Sequence, residues 1–426
     1  MKKMFVIFII LGFISSCTDD IFEDSSFQNP NDDSYTDNVP KTIQNNEIWY
    51  VSYRGGKIDL VDASDFGAEV VSNEYSNGKG IITFDRDITR IGNLAFADCR
   101  DLYAVTIPSR VKQIGYGAFS HCPNLKSITI PKSVRDIEST AFINCDGLEG
   151  VYIEDIDAWC RIVFDDVYSN PLHYAGKLYL DRKPVTNVVW PEEVSKVGDF
   201  IFYNCDSLRS ILIPDNVTAI GKFAFYDCNS LSEITMPSEL TQLGEYAFYQ
   251  CYNIRKGICI PYKVSEIGEY AFYNCRFTEL LLEEGLITIN LNAFWGCMNI
   301  ENLVIPNSVK IICYSAFEKC SGLEYVHFGD NCQEIQGNAF CECTNLKTIE
   351  MGSQIKFLCD YAFAHCERLT TIYCLADTPP QKSWSAFYDS DAIERIYVPY
   401  NSVNTYKRIW QTYASKIYPY KNGAHQ

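Results

Sequence analysis

The sequence predicts an α/β-type repeat solenoid of about 12 to 13 turns on one parallel β-sheet, closed at both ends by atypical segments. Three observations predict it. A phenylalanine recurs at Phe96, Phe119, Phe142, Phe202, Phe225, Phe248, Phe272, Phe294, Phe317, Phe340, Phe363 and Phe387, with gaps of 23, 23, 60, 23, 23, 24, 22, 23, 23, 23 and 24 residues. Each interval carries one short alternating apolar run, such as Ile128-x-Ile130 or Leu303-x-Ile305, often stopped by a proline that cannot donate to a ladder. About eight apolar residues in each unit cannot enclose a core alone, so units must stack and bring their runs side by side as parallel strands.

The unit reads Leu125-x-x-Ile128-x-Ile130-Pro131-x-x-Val134-x-x-Ile137-x-x-x-Ala141-Phe142-x-x-Cys145. Alanine precedes every recurring Phe except Phe202, where Ile201 stands, and cysteine follows three residues later except after Phe387, where Ser390 stands. The 19 cysteines therefore sort by phase. Cys99, Cys122, Cys145, Cys205, Cys228, Cys251, Cys275, Cys297, Cys320, Cys343 and Cys366 form one inward column. Side chains that point in parallel fit the disulfide dihedral poorly, so these are expected to be buried free thiols behaving as small hydrophobes. Cys160, Cys259, Cys313, Cys332, Cys341, Cys359 and Cys374 are scattered in phase and make no metal-ligand spacing.

A solenoid needs its ends covered. At the N-terminal end Ile48 to Tyr53 reads as a strand, Arg54-Gly55-Gly56-Lys57 as a hairpin turn, and Ile82-x-Phe84 as already in the repeat's strand phase. At the other end Asp377-Thr378-Pro379-Pro380 breaks the pattern, Ile396 to Pro399 gives a last strand, and Val403 to Ala414 reads as an amphipathic helix. The 60-residue gap holds Ile156, Trp159, Cys160, Val163 and Phe164 at helical spacing, then a hairpin over Leu178–Leu180 and a turn at Asp181 to Lys183 that re-enters the repeat at Val188. This interruption is either a binding insertion or a structural variant of the turn.

The first residues point to export. Lys2 and Lys3 precede an apolar run from Met4 to Phe13 that is too short to span a bilayer. Ile14-Ser15-Ser16-Cys17 resembles the bacterial lipobox, which implies cleavage before Cys17 and lipidation of it, several acyl chains giving a stable anchor. From Thr18 to Asn38 there are acidic residues (Asp19, Asp20, Glu23, Asp24, Asp32, Asp33, Asp37) and no Lys or Arg, which keeps such a segment solvated. The same acidic run resembles the signal that sends some Gram-negative lipoproteins to the cell exterior. The expected organisation is a signal peptide at 1–16, lipidated Cys and acidic linker at 17–45, an N-terminal β cap at 46–90, repeats at 91–153, an insertion at 154–196, repeats at 197–375 and a C-terminal cap at 376–426.

The Leu-x-x-Ile-x-Ile-Pro, Ile-Gly and Ala-Phe-x-x-Cys elements together resemble the leucine-rich repeats of BspA-like surface proteins over about residues 82 to 399. The resemblance implies a right-handed, curved solenoid on the cell surface, here an outer-membrane lipoprotein. For some relatives it implies adhesion to host matrix proteins or to other bacteria.

The residues themselves narrow the function. A net charge of −18 with no basic stripe argues against nucleic acid. Five histidines and no HExxH, GxSxG, P-loop, GxGxxG or EF-hand pattern leave no catalytic residue, metal ligand or cofactor site to name. Two aromatic stripes stand out at one phase of consecutive turns. Tyr203, Tyr226, Tyr249, Tyr273 and Trp295 follow the core Phe directly, and Phe200, Phe223, Tyr246 and Tyr270 precede it by two positions. They form either a patch that stacks on sugars or anchors a protein, or a ladder of rings packed on one another. The middle strand positions, Thr106, Thr129, Tyr152, Leu212, Thr235, Cys259, Leu281, Val304, His327, Glu350, Tyr373 and Tyr397, change chemistry from turn to turn, as either a protein-binding concave side or an unselected face does. The expectation is a monomeric adhesion scaffold for a protein ligand, a host matrix or bacterial surface protein. The alternatives are polysaccharide capture by the aromatic stripe and a purely structural surface protein.

Overall fold

A computed structural model describes residues 43–420. Cys17, the signal peptide and most of the acidic linker lie outside the described residues. Parallel strands stack into a solenoid of about 14 turns, with few helices. The core is one continuous column in which every recurring Phe is buried, flanked by the strand isoleucines and valines on one side and the cysteines on the other.

Each turn contributes two strands rather than the single one expected. The longer strand, such as Ser127–Ile130 or Thr348–Met351, alternates buried and partly exposed positions, as a half-buried strand must. Pairing between turns is in register, with Ile128 opposite Val151 and Ile349 opposite Ile372. A second ladder of two-residue strands falls at the Ile-Gly element, from Arg90–Ile91 to Val163–Phe164 and again from Lys196–Val197 to Gln381–Lys382. A two-residue strand has no period to read, which hid this ladder in the sequence.

Between the ladders the chain turns on two left-handed residues that flank each core Phe. Thr140 (φ 56°) and Asn144 (φ 59°) bracket Phe142, and Asn338 (φ 56°) and Glu342 (φ 58°) bracket Phe340. Phe119 donates its backbone N–H to the Ala141 carbonyl of the next turn at 2.8 Å, and the same bond recurs along the array. The core rings then stack at 5.1 Å for Phe96–Phe119 and for Phe317–Phe340.

The caps differ from the expected ones. Glu47–Ser52 is a strand, but Arg54 to Lys57 does not turn it into a hairpin. It instead pairs antiparallel with both Lys79–Phe84 and Leu102–Thr106, wedged between them. The cap's hairpin joins Val70–Ser76 to Lys79–Phe84 through Asn77 (φ 51°) and Gly78 (φ 77°), the left-handed pair that such a turn requires. At the other end the helix covers only Val403–Ile409, because Trp410 leaves helical backbone at ψ 54°, and a 3-10 turn follows. One more strand, Ile417–Tyr420, then pairs parallel with Arg395–Pro399, so the latter is not the last.

The interruption is part of the stack. The expected helix is only Ile156–Trp159, capped by the Asp155 carboxylate on the Ala158 N–H at 2.7 Å, Val163–Phe164 is a strand of the second ladder rather than more helix, and a second short helix covers Leu172–Ala175. Leu178–Leu180 turns back on Lys183–Pro184 rather than on the run at Val188, which lies in Asn187–Val189 and opens a new sheet with Ser210–Leu212. Both ladders break here together. One backbone bond, from the Asp206 N–H to the Gly176 carbonyl at 2.8 Å, and several side chains bridge the seam instead. Trp159 Nε1 donates to the Ile201 carbonyl (3.1 Å), Asn170 Nδ2 to that of Phe200 (2.6 Å) and Asn204 Nδ2 to that of His173 (3.0 Å).

Candidate functional site

The structure brings both predicted aromatic stripes together as two ladders. In the first, Tyr203, Tyr226, Tyr249, Tyr273 and Trp295 stack nearly parallel at 4.7, 4.7, 4.7 and 4.5 Å between centroids. In the second, Phe200, Phe223, Tyr246 and Tyr270 stack at 5.4, 4.6 and 4.6 Å. The ladders also touch each other, with Phe223 tilted against Tyr226 at 5.6 Å and Tyr246 against Tyr249 at 5.6 Å. The spacing is the inter-turn rise itself, since one ring per turn at one phase has its neighbour one strand spacing away.

Two members at the ends were invisible to the repeat register. His173, from the interruption, stacks on Tyr203 at 5.3 Å and meets Tyr168 and Tyr174 edge to face. Lys319, two residues after the core Phe317 and so one position past the stripe, places its ammonium 4.8 Å from the Trp295 ring. The His173 Nδ1 is buried without a hydrogen-bond partner, and burial lowers the ring's basicity.

All these rings are half-buried. Burial by their neighbours pushes the Tyr226 hydroxyl up to about 12 and raises that of Tyr203 further. Because each interior ring is covered on both faces, the ladder offers ring edges and hydroxyls to an approaching molecule rather than open faces. The second ladder pays a backbone cost: Phe200, Phe223, Tyr246 and Tyr270 all sit at φ between 55° and 60°, a region that costs an L-residue about 1–2 kcal/mol. Elsewhere this left-handed position holds Leu94, Gly117, Thr140, Asn292, Ser315, Asn338 or Tyr361.

The outward face of the longer strands forms a second surface. Its middle row is aligned by pairing of Val189 with Leu212, Cys259 with Leu281, Val304 with His327, Glu350 with Tyr373 and Tyr397 with Tyr418. Val189, Leu212, Leu281 and Val304 are 67, 59, 58 and 57% exposed. Farther along, the Tyr325 hydroxyl donates to Glu350 Oε2 at 2.8 Å, and His327 Nδ1 lies 3.5 Å from the same oxygen. A groove of about 720 Å³ opens at the seam of the second ladder, lined by Gly198, Gly221, Gly244 and Gly268. Among the described residues, no helix is long and apolar enough to cross a membrane, and no three His, Cys, Asp or Glu side chains gather as metal ligands.

The model of the BspA type leucine-rich repeat region matches residues 74–166, 176–301 and 287–413. The chain belongs to the BspA-type leucine-rich-repeat family. Residues 167–175, between two of the matched segments, include Tyr168, Asn170 and His173 of the seam. A leucine-rich repeat protein from Bacteroides ovatus is 23% identical, covering 83% of this chain and 90% of that one with a TM-score of 0.58, and so shares the fold. A leucine rich cell surface protein from Faecalibacterium prausnitzii is 25% identical over 77% of this chain and 86% of its own, with a TM-score of 0.45. No curated protein matches the chain.

Proposed function

We propose that this BspA-type protein is a cell-surface adhesion scaffold that recognises a protein ligand without catalysing a reaction. In this reading lipid on Cys17 anchors a monomer to the outer membrane, and the acidic linker holds the solenoid clear of it. Membership of a family of leucine-rich-repeat surface proteins supports an interaction role.

The observation that carries the reading is two pairs of exposed apolar residues at the middle strand position, Val189 with Leu212 and Leu281 with Val304, separated by Thr235 and Cys259. Strands whose inner face is fully buried hold these side chains rigidly, so contact with a partner buries apolar surface without an ordering cost. Exposed apolar residues side by side on one sheet face mark an interaction surface. The edge-on rings from Tyr203 to Trp295, with Phe223, Tyr246 and Tyr270, supply a second contact strip suited to a protein, since their covered faces cannot receive a sugar ring.

The test is binding of the purified full-length chain to immobilised matrix proteins and bacterial surface proteins. Leu281→Asp combined with Val304→Asp is expected to weaken binding at least about tenfold with an unchanged melting temperature. Undiminished binding would remove the sheet face from the interface.

A further inference from the structure

The last turns hold aromatic rings arranged in a different way. Trp384 is 79% exposed, more than any other large apolar side chain among the described residues, and Tyr388 and Tyr361 beside it are also exposed. Trp384 meets Tyr388 at 6.4 Å and 90°, and Tyr361 meets Tyr388 at 5.8 Å and 72°. In an edge-to-face pair one ring's edge meets the other's face, so each contact closes at most one face, and Trp384, 79% exposed with one such contact, keeps a face open as the interior ladder rings do not. His365 also meets Tyr388 edge to face at 5.7 Å, while its Nδ1 pairs with Asp389 Oδ2 at 2.9 Å.

The exposed indole is held in place from below. Ser383 and Ser385, on either side of it, both direct their hydroxyls to Asp360 Oδ1, Ser385 at 2.8 Å. Those bonds fix the backbone around Trp384 and hold the Asp360 carboxyl below its usual range. A large apolar ring kept in water on a pinned backbone gains nothing for the fold. It does spare a ligand the cost of ordering it.

We propose that Trp384, Tyr388 and Tyr361, with the His365–Asp389 pair, form a binding site for a neutral hexopyranose chain. The flat C–H face of such a sugar packs on an open aromatic face, and its hydroxyls bond to a carboxylate and an imidazole at the rim. The carboxylates of Asp360 and Asp389 disfavour acidic sugars. An aliphatic protein anchor would leave the His365–Asp389 pair buried and unmatched. This site is separate from the sheet face of the adhesion reading, and either can fail without the other.

The chain has six tryptophans, of which Trp159, Trp190 and Trp410 are buried and Trp49 and Trp295 half-buried, so a ligand-induced change in tryptophan emission reports chiefly on Trp384. The full-length chain is titrated with cellohexaose, laminarihexaose and β-1,4-galactan, with polygalacturonate as the acidic comparison. A saturable blue shift with at least one neutral glycan is expected. Trp384→Ala should abolish it, binding measured by calorimetry should fall at least about tenfold in Trp384→Ala and Tyr388→Ala, and Trp384→Phe should keep part of it. Tyr116→Ala, at an exposed ring far along the chain, should bind as the parent does. No binding of any neutral glycan, equal binding of polygalacturonate, or full affinity in Trp384→Ala overturns the proposal, as does a protein partner that alone depends on Trp384.

Discussion

The thiol of Cys122 donates to the backbone carbonyl of Phe96, 3.0 Å away in the preceding turn. The same bond joins Cys145 to Phe119, Cys228 to Phe202, Cys251 to Phe225 and onward to Cys366 with Phe340, at 3.0 to 3.3 Å. At Ser390, where the cysteine is missing, a hydroxyl makes it to Phe363 at 2.8 Å. The column cysteines are therefore free thiols that fill space and also give a buried carbonyl its second donor.

Removing that donor has a measurable price. Cys251→Ala is expected to lower unfolding stability by about 1–2 kcal/mol, from the lost bond and the small void. Cys251→Ser, which reproduces the chemistry of Ser390, should cost less than Cys251→Val, which has no donor. Denaturant midpoints of the three variants decide it, and equal losses for Ser and Val would contradict a bonding role.

Burial raises the thiol pKa of Cys228, Cys251 and Cys343 well above the ordinary 9.0, and pushes Cys99 and Cys313 up to about 11. Since the folded thiols hold their protons more tightly than the unfolded ones, their contribution to stability is complete below pH 9 and is lost as pH rises toward 11 and beyond. Melting temperature should hold to about pH 8 and then fall steadily. Native protein should react slowly with a thiol reagent at pH 8, whereas unreduced, denatured protein should react fully. A denatured chain with few reactive thiols would show that the column pairs into disulfides.

Tyr249 stacks at 4.7 Å on both Tyr226 and Tyr273, and Tyr249→Ala forfeits both contacts, about 1–3 kcal/mol beyond the lost area. Tyr246→Asn should cost less, because the loss of its stacking is offset by about 1 kcal/mol of relief at its left-handed backbone. The same unfolding experiment measures both, and the reverse order would mean that the backbone strain is negligible.

Asn170 is fully buried; its Nδ2 donates across the seam to the Phe200 carbonyl, and its Oδ1 accepts the Leu172 N–H on its own side. Asn170→Ala leaves the Leu172 N–H unmatched, about 1–3 kcal/mol, and removes the cross-seam donor of a carbonyl that keeps the Tyr203 N–H. In an array whose stability is a sum of neighbour terms, weakening one interface splits its cooperativity. The variant should unfold in two calorimetric transitions where the parent shows a single one.

The features legible in the sequence were those that repeat. Phe, Cys and the strand isoleucines recur in one register, so their common burial followed from spacing alone. The two-residue ladder did not, since Gln113–Ile114 is too short to show alternation. Ile417–Tyr420 was missed because Pro419 argues against a strand, and an edge position tolerates it. The aromatic stripe was visible, but whether its rings faced each other or solvent depends on side-chain rotamers. His173 lay hidden in the interruption, and the Trp384 cluster joins Tyr361 and His365 of one regular turn to Trp384 and Tyr388 of the next, where Ser390 breaks the register.

In the proposed reading, with lipid on Cys17 at one end and a ligand held farther along, the solenoid is loaded in tension along its length. Each turn that peels away releases 23 residues, a slack of about 75 Å at full extension. The seam, where both ladders stop and one backbone bond and a handful of side-chain bonds take over, is where such a thread parts first. A pulled molecule would yield there and lengthen before its grip at either end is tested, which makes the irregular turn a shock absorber for the regular ones.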